Sequence, residues 1–358
     1  MTGQPASQGP RGVPAAIALS PILSARYRPE DLERITAAAP GARLVMVSRD
    51  GHAEGPVDDV DVLLRGVISA DAFDRFLARA PHLRWVHSAT AGVERVLTPA
   101  GRARGLLITN ARGVFSGPIA EYVLMMILAV NRRLPQLLEL QRERTWQPLQ
   151  GTELRDVTVG IVGLGSIGSA VAELATAFGC RVIATRRRAP GAGADGGPVA
   201  DPSGAAPDAG PHAGDPAGVE IIGGPDALPG LLGRADFIVL AAPLTPETED
   251  LIDERALAAV KPGAWLINVA RGRLVDERAL IRALHDGPLG GAVLDTFREE
   301  PLPPTSPFYD LPNVIVTPHT AWSSGRVLDR SIELFCDNLV RYVAGEPLEN
   351  VVDPDAGY

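Results

Sequence analysis

Three polar side chains stand where an open α/β sheet does its chemistry. Arg271 follows the predicted strand Trp265–Asn268, Glu300 follows Ala292–Leu294, and His319 follows Val314–Val316. The carboxyl ends of parallel strands line the ligand crevice of such a sheet. A guanidinium, a carboxylate and an imidazole can therefore converge at one mouth. Arginine matches planar anions with paired donors, and imidazole changes charge near neutral pH.

A second constellation lies upstream. A β-branched run from Val157 enters Gly163-Leu-Gly165-Ser166-Ile167-Gly168, and a helix-like stretch follows. Gly163 permits a tight turn, Gly165 lets phosphates approach with no Cβ in the way, and Gly168 lets helix and strand pack closely. The helix N-terminus adds free N–H groups and partial positive charge. Strand, turn and helix together point to dinucleotide binding. In an NAD site an acid ends the second strand. Here the strand Arg181–Thr185 runs into Arg186-Arg187-Arg188. Guanidinium groups suit the 2′-phosphate of NADP, so NADP is favoured over NAD. The duller alternative is a solvated charge run.

These residues need elements to hold them. A chain of 358 residues implies two domains. Its net charge of −9 argues against nucleic acid or an acidic membrane as partner. Cys180 and Cys336 are too few for a disulfide framework and lack metal-ligand spacing, so both read as buried small hydrophobes and no metal is expected. Met1–Gly12 has no apolar run and is no signal peptide. The apolar run Tyr122–Val130 is too short to span a membrane. A cytoplasmic protein is the simplest expectation.

The fold class is α/β, with two doubly wound parallel-sheet domains and a cleft between them. The first domain takes strands at Ala15–Leu19, Leu44–Val47, Val60–Leu64, Trp85–Ser88 and Leu106–Thr109, with helices at Pro29–Ala38 and Ala70–Ala80, the latter opening on Ser69. Ser116 reads as the cap of a long helix with Pro118 at its first position, apolar nearly all round. A polar stretch, Asn131–Glu153, leads to the glycine turn. Six strands follow: Val157–Val162, Arg181–Thr185, Phe237–Leu240, Trp265–Asn268, Ala292–Leu294 and Val314–Val316. They make a Rossmann-type sheet. The amphipathic helix Gly325–Ala344 returns to the first domain. The substrate domain is then 1–115 plus 323–358, and the dinucleotide domain 116–322. Residues 189–218 are nearly all Gly, Ala, Pro, Asp and Ser, and read as a disordered insertion.

The chain resembles the D-isomer-specific 2-hydroxyacid dehydrogenases. The matching text is Ala120–Leu128, Gly163–Gly168, Ala242–Thr248, Leu266–Asp276, Asp295 through Leu302, and Pro318-His319, with Ala91-Gly92-Val93 similar to the family's substrate loop. The resemblance implies that Arg271 binds the substrate carboxylate and polarises the adjacent carbonyl. His319 exchanges the proton with the substrate oxygen, and Glu300 orients its imidazole. Asp295 is implied to hold the nicotinamide carboxamide. Pro243, Thr248 and Ala270 join the cofactor set, and N–H groups at Ala91 and Gly92 receive the carboxylate. A homodimer pairing through the cofactor domain is implied too. Trp322 either shapes the substrate pocket or covers the hinge. His52, His82, His87, His212 and His285 read as structural or solvated. Two departures stand out: Glu94 where the family often has Asp, and Arg298 in place of a commonly acidic residue. The expected activity is hydride transfer between NADP(H) and a small 2-oxo or 2-hydroxy acid of D configuration. The alternatives are a corepressor-like nucleotide sensor and a formate- or phosphite-type dehydrogenase.

Overall fold

The computed structural model describes residues 12–22, 27–186, 216–223 and 227–354. The chain divides into two compact units, one built from residues up to Phe115 together with those from Ser324 on, the other from Ser116–Ser323.

The first unit runs β1 (Ala16–Leu19), α1 (Pro29–Ala38), β2 (Arg43–Met46), β3 (Val60–Arg65), α2 (Ala70–Arg79), β4 (Trp85–Ser88), α3 (Pro99–Ala103) and β5 (Leu107–Asn110). The strands pair in parallel in the order β2-β1-β3-β4-β5. Both faces of β1 and β4 are buried, which is why these strands read as apolar runs rather than alternations. Ser69 caps α2, its Oγ accepting from Ala72 N–H at 3.1 Å. The sheet's last cover comes from the far end of the sequence. Ile332, Phe335, Leu339 and Tyr342 join Ile17, Leu19 and Trp85 in one core cluster, and Trp85 stacks on Phe335 and Tyr342 with ring centroids 5.5 and 5.1 Å apart.

The second unit runs α4 (Ser116–Asn131), α5 (Leu134–Arg142), β6 (Thr158–Val162), α6 (Ser166–Ala177), β7 (Arg181–Thr185), β8 (Val219–Ile222), α7 (Ala227–Leu232), β9 (Phe237–Leu240), α8 (Glu254–Ala258), β10 (Trp265–Asn268), α9 (Glu277–His285), β11 (Gly291–Leu294) and β12 (Val314–Val316); α10 (Val327–Ala344) belongs to the first unit. Among the described residues its strands pair in parallel in the order β12-β11-β10-β9-β6-β7-β8. The chain leaves β6 toward β7 and β8, then restarts on the other side at β9. That reversal puts the switch point of a Rossmann-type sheet at the carboxyl ends of β6 and β9.

Four expectations need correction. The sheet has a seventh strand, β8, which pairs with β7 from Val182↔Val219 to Thr185↔Ile222. Asn131–Glu153 contains a helix, α5. The long helix already begins at Ser116, so Ser116 is inside it and its buried Oγ caps nothing. Of the cysteines, Cys180 is buried and Cys336 only half-buried, and both are free thiols. The insertion expected over 189–218 lies, apart from its last three residues, outside the described residues, as do Arg187 and His212.

Candidate active site

The glycine turn leaves the fully buried strand β6. Gly163 has φ +99°, a region L side chains rarely enter, and a Cβ there would lie 2.7 Å from the backbone N of Ala242. A Cβ on Gly168 would lie 2.1 Å from the carbonyl oxygen of Gly163, so helix and strand meet only because that atom is missing. Gly165 is different: a Cβ there meets nothing within 4 Å. Among the described residues nothing accepts from the N–H groups of Gly165, Ser166 and Ile167 at the head of α6. Orphan donors around open space are what a pyrophosphate requires, so the turn fits a dinucleotide.

Arg186 follows β7 directly, and its Nη2 donates to the carbonyl of Leu164 at 3.4 Å. Its guanidinium is therefore beside the glycine turn. After β9, Thr248 ties its own loop: its Oγ1 donates to Pro243 O at 2.7 Å and accepts from Thr245 N–H at 2.7 Å. After β10, the buried Asn268 does the same work. Its side chain accepts from Ala270 N–H at 3.1 Å and donates to Arg271 O at 2.9 Å. Sequence reasoning passed over Asn268; a lone polar residue ending the run Trp-Leu-Ile was the available signal. Arg271 adopts extended backbone, φ −145° and ψ 140°. Its Nη1 donates to Ala270 O at 2.8 Å.

His319 and Glu300 form a pair, Nδ1 to Oε2 at 2.8 Å, with both side chains about two-fifths exposed (41% and 38%). The other carboxylate oxygen of Glu300 accepts from Phe297 N–H at 3.0 Å. Partial burial pushes the Glu300 carboxyl up. The hydrogen bonds from His319 and Phe297 and the positive charge of Arg271 outweigh it and hold the group below its ordinary value. An ionised carboxylate only accepts, so Nδ1 carries a proton and Nε2 is the nitrogen left for chemistry. Arg271, Glu300 and His319 are thus brought together within the second unit.

His319 takes an unusual backbone, φ +49°. A left-handed conformation costs a non-glycine residue about 1–2 kcal/mol, and persists only when its surroundings over-determine it. Asp295 does so. It is 1% exposed. Its Oδ1 accepts from Thr317 Oγ1 at 2.6 Å and Thr320 N–H at 2.8 Å, and its Oδ2 from Ala321 N–H at 3.0 Å. Trp322 Nε1 donates to His319 O at 2.7 Å. Arg298 is drawn off by acids of its own: it pairs with Asp250 and lies 3.6 Å from Glu249.

In the first unit, Ala91 and Gly92 follow β4. Asn110 Nδ2 donates to Ala91 O at 2.9 Å and Thr90 Oγ1 to Gly92 O at 2.7 Å. No described residue accepts from either N–H. His87 is a core residue. Its Nδ1 lies 2.8 Å from Thr109 Oγ1, and burial pushes its pKa down to about 3. No group of acids, cysteines or histidines able to hold a metal occurs among the described residues. No described helix is long and apolar enough to cross a membrane.

The family model of the D-isomer specific 2-hydroxyacid dehydrogenase, NAD binding domain, matches residues 124–199 and 215–321. A glyoxylate reductase of Korarchaeum cryptofilum is 32% identical over 326 residues, covering 88% of each chain. The chain belongs to the D-isomer specific 2-hydroxyacid dehydrogenase family. Another member, D-3-phosphoglycerate dehydrogenase of Mycobacterium bovis, is 38% identical over 304 residues, covering 84% of this chain. The chain spans about half (52%) of that relative's length. Among solved family structures, the NADPH-dependent glyoxylate/hydroxypyruvate reductase of Sinorhizobium meliloti, in complex with NADP and sulfate, superposes with a TM-score of 0.78 at 30% identity. It covers 96% of this chain and all (100%) of that one.

Proposed function

We propose that this protein is an NAD(P)-dependent oxidoreductase, favouring NADP, that interconverts a small 2-oxo acid and its D-2-hydroxy acid. One observation carries the reading: an imidazole paired through Nδ1 with an ionised carboxylate, beside an arginine, in the unit that carries the glycine turn. The reductases of K. cryptofilum and S. meliloti, matched over nearly their whole length, support a substrate of glyoxylate or hydroxypyruvate size. The half-length match to phosphoglycerate dehydrogenase lends less support to that substrate.

Gly163, Gly165, Ser166, Ile167 and Gly168 would hold the pyrophosphate, with Pro243, Thr248, Ala270 and Asp295 completing the cofactor set. Arg186, with Arg187, would hold the 2′-phosphate. The bound nicotinamide supplies or accepts the hydride. Arg271 grips the substrate carboxylate through two parallel donors and polarises the neighbouring carbonyl. The N–H groups of Ala91 and Gly92 are proposed as further carboxylate donors. During reduction His319 gives the proton on Nε2 to the carbonyl oxygen; during oxidation Nε2 takes it from the hydroxyl. Glu300 keeps Nδ1 protonated, fixes the ring's orientation and stabilises the positive imidazolium.

A homodimer is part of the same proposal. On the cofactor unit α5 exposes Leu134, Leu137 and Leu138, and Trp146 beyond it is fully exposed. Light scattering after gel filtration tests it: a single-chain mass at micromolar concentration rejects it.

The functional test is a panel of 2-oxo acids, glyoxylate and hydroxypyruvate included, with NADPH and with NADH, followed by loss of reduced-cofactor absorbance. Turnover that fails in His319→Ala is expected. Tight NADPH binding without turnover on any 2-oxo acid overturns the reading in favour of a nucleotide sensor.

A further inference from the structure

We propose that Tyr122 is a positioning residue for His319, acting from α4 through the hydroxyl of Thr317 and the carboxylate of Asp295. The inference rests on His319 as the proton-exchanging group.

Tyr122 sits in the most apolar stretch of the chain and is 9% exposed. A phenylalanine would serve packing as well. Its hydroxyl nevertheless lies 2.6 Å from Thr317 Oγ1, a residue 195 positions away. Thr317 Oγ1 in turn donates to Asp295 Oδ1 at 2.6 Å. A threonine hydroxyl has one proton. Since Thr317 spends it on the carboxylate, the contact with Tyr122 has one possible polarity: Tyr122 donates and Thr317 accepts. The bonds run in one direction, phenol to hydroxyl to carboxylate, and each polarises the next. Burial pushes the phenol's pKa up to about 12, so it remains a donor across the neutral range.

The end of this chain is the anchor of the His319 loop. Asp295 takes Thr317 on one side of His319 and the N–H groups of Thr320 and Ala321 on the other. These bonds bracket the single left-handed residue of the loop, His319 at φ +49°. Weakening the Thr317 bond loosens one of the two clamps that keep the imidazole aimed. Among the described hydrogen bonds Tyr122 Oη meets Thr317 and neither Glu300 nor His319, so the polar route to the imidazole runs through Thr317 and Asp295.

Tyr122→Phe keeps the ring and deletes only the donor. With the substrate found in the 2-oxo-acid panel, kcat should fall about three- to tenfold, the worth of one net hydrogen bond. KM for the 2-oxo acid and Kd for NADPH should stay within about twofold. Thr317→Val should lose more and Thr317→Ser should recover most of it. Adding Tyr122→Phe to Thr317→Val should cost nothing further, because the acceptor is gone. The imidazole Cε1–H resonance of His319 should move or broaden in Tyr122→Phe, while those of the exposed His52, His82 and His285 stay put. Wild-type kcat with an unmoved His319 resonance overturns the proposal, and so do additive losses in the double variant. If the wild-type protein reduces no 2-oxo acid, the functional reading has failed. The resonance then still decides whether Tyr122 positions His319.

Discussion

Gly165→Ala separates folding from cofactor binding more sharply than any other substitution in the glycine turn. Gly165 has φ −91° and ψ −162°, extended backbone that alanine adopts freely. The added methyl meets nothing within 4 Å. Stability should therefore hold or rise slightly, by up to about 1 kcal/mol, as the unfolded chain loses freedom. The methyl does enter the open space at the head of α6, beside the backbone that a pyrophosphate must approach closely. Displacing a phosphate from one charge-assisted bond to that backbone costs about 2–3 kcal/mol, roughly 30- to 150-fold in Kd. Thermal unfolding with and without NADPH measures both quantities. At a concentration of 100 times the wild-type Kd, NADPH stabilises the wild type by about 2.7 kcal/mol. With a hundredfold weaker Kd that falls to about 0.4 kcal/mol. Gly168→Ala is the contrast, because its methyl lies 2.1 Å from the Gly163 carbonyl oxygen. That variant should lose about 1–3 kcal/mol of stability or more even without cofactor. A Gly165→Ala protein with the full NADPH-induced shift in Tm would refute the placement of the pyrophosphate at this turn.

Three further predictions follow from the same geometry. Arg186→Asp should raise KM for NADPH by about 10- to 100-fold and improve NADH, since it trades a phosphate-binding cation for a ribose-binding acid; unchanged cofactor preference in initial rates would show that Arg186 does not read the 2′-phosphate. His319→Ala should lower kcat by roughly 10²–10⁴-fold, and Arg271→Ala should raise KM for the 2-oxo acid as well as lowering kcat; loss of cofactor affinity alone in Arg271→Ala would contradict its assignment. The folded state holds the Glu300 carboxyl below its ordinary value of 4.5, so its pairing stabilises the protein above that pH and the benefit disappears as pH falls through the lowered value. The gap in Tm between wild type and Glu300→Gln should not narrow from neutral pH down to about 5, and should close below that; a gap that closed between pH 7 and 5 would mean the carboxyl is raised.

Much of the fold was legible because central parallel strands are buried on both faces. A run such as Phe237–Leu240 is apolar throughout, and the strand ends where the run ends. The strand β8 escaped for the opposite reason. It is the half-exposed edge of the sheet, with a glutamate in its four residues, and follows a long Gly/Pro-rich segment. The helix α5 escaped because it has no buried face: none of its residues is buried, and Pro135 stands at its second position. Ser116-Gly-Pro118 carries the letters of a helix cap, yet the helix starts at Ser116 itself.

The glycine turn was readable from residue type and from its place between strand and helix, because few other residues supply its backbone conformations; strand ends suggested that Arg271, Glu300 and His319 could converge, but their roles came only from the resemblance to the family. The hydrogen-bonding of that set was not readable. Nothing in the order of residues tells that Asp295 takes three donors around His319 or that the hydroxyl of Tyr122 reaches Thr317. These bonds join segments brought side by side by the pairing of β11 with β12 and by the packing of α4. Their partners are fixed by distance in the packed unit, a quantity that neighbouring letters in a chain do not encode.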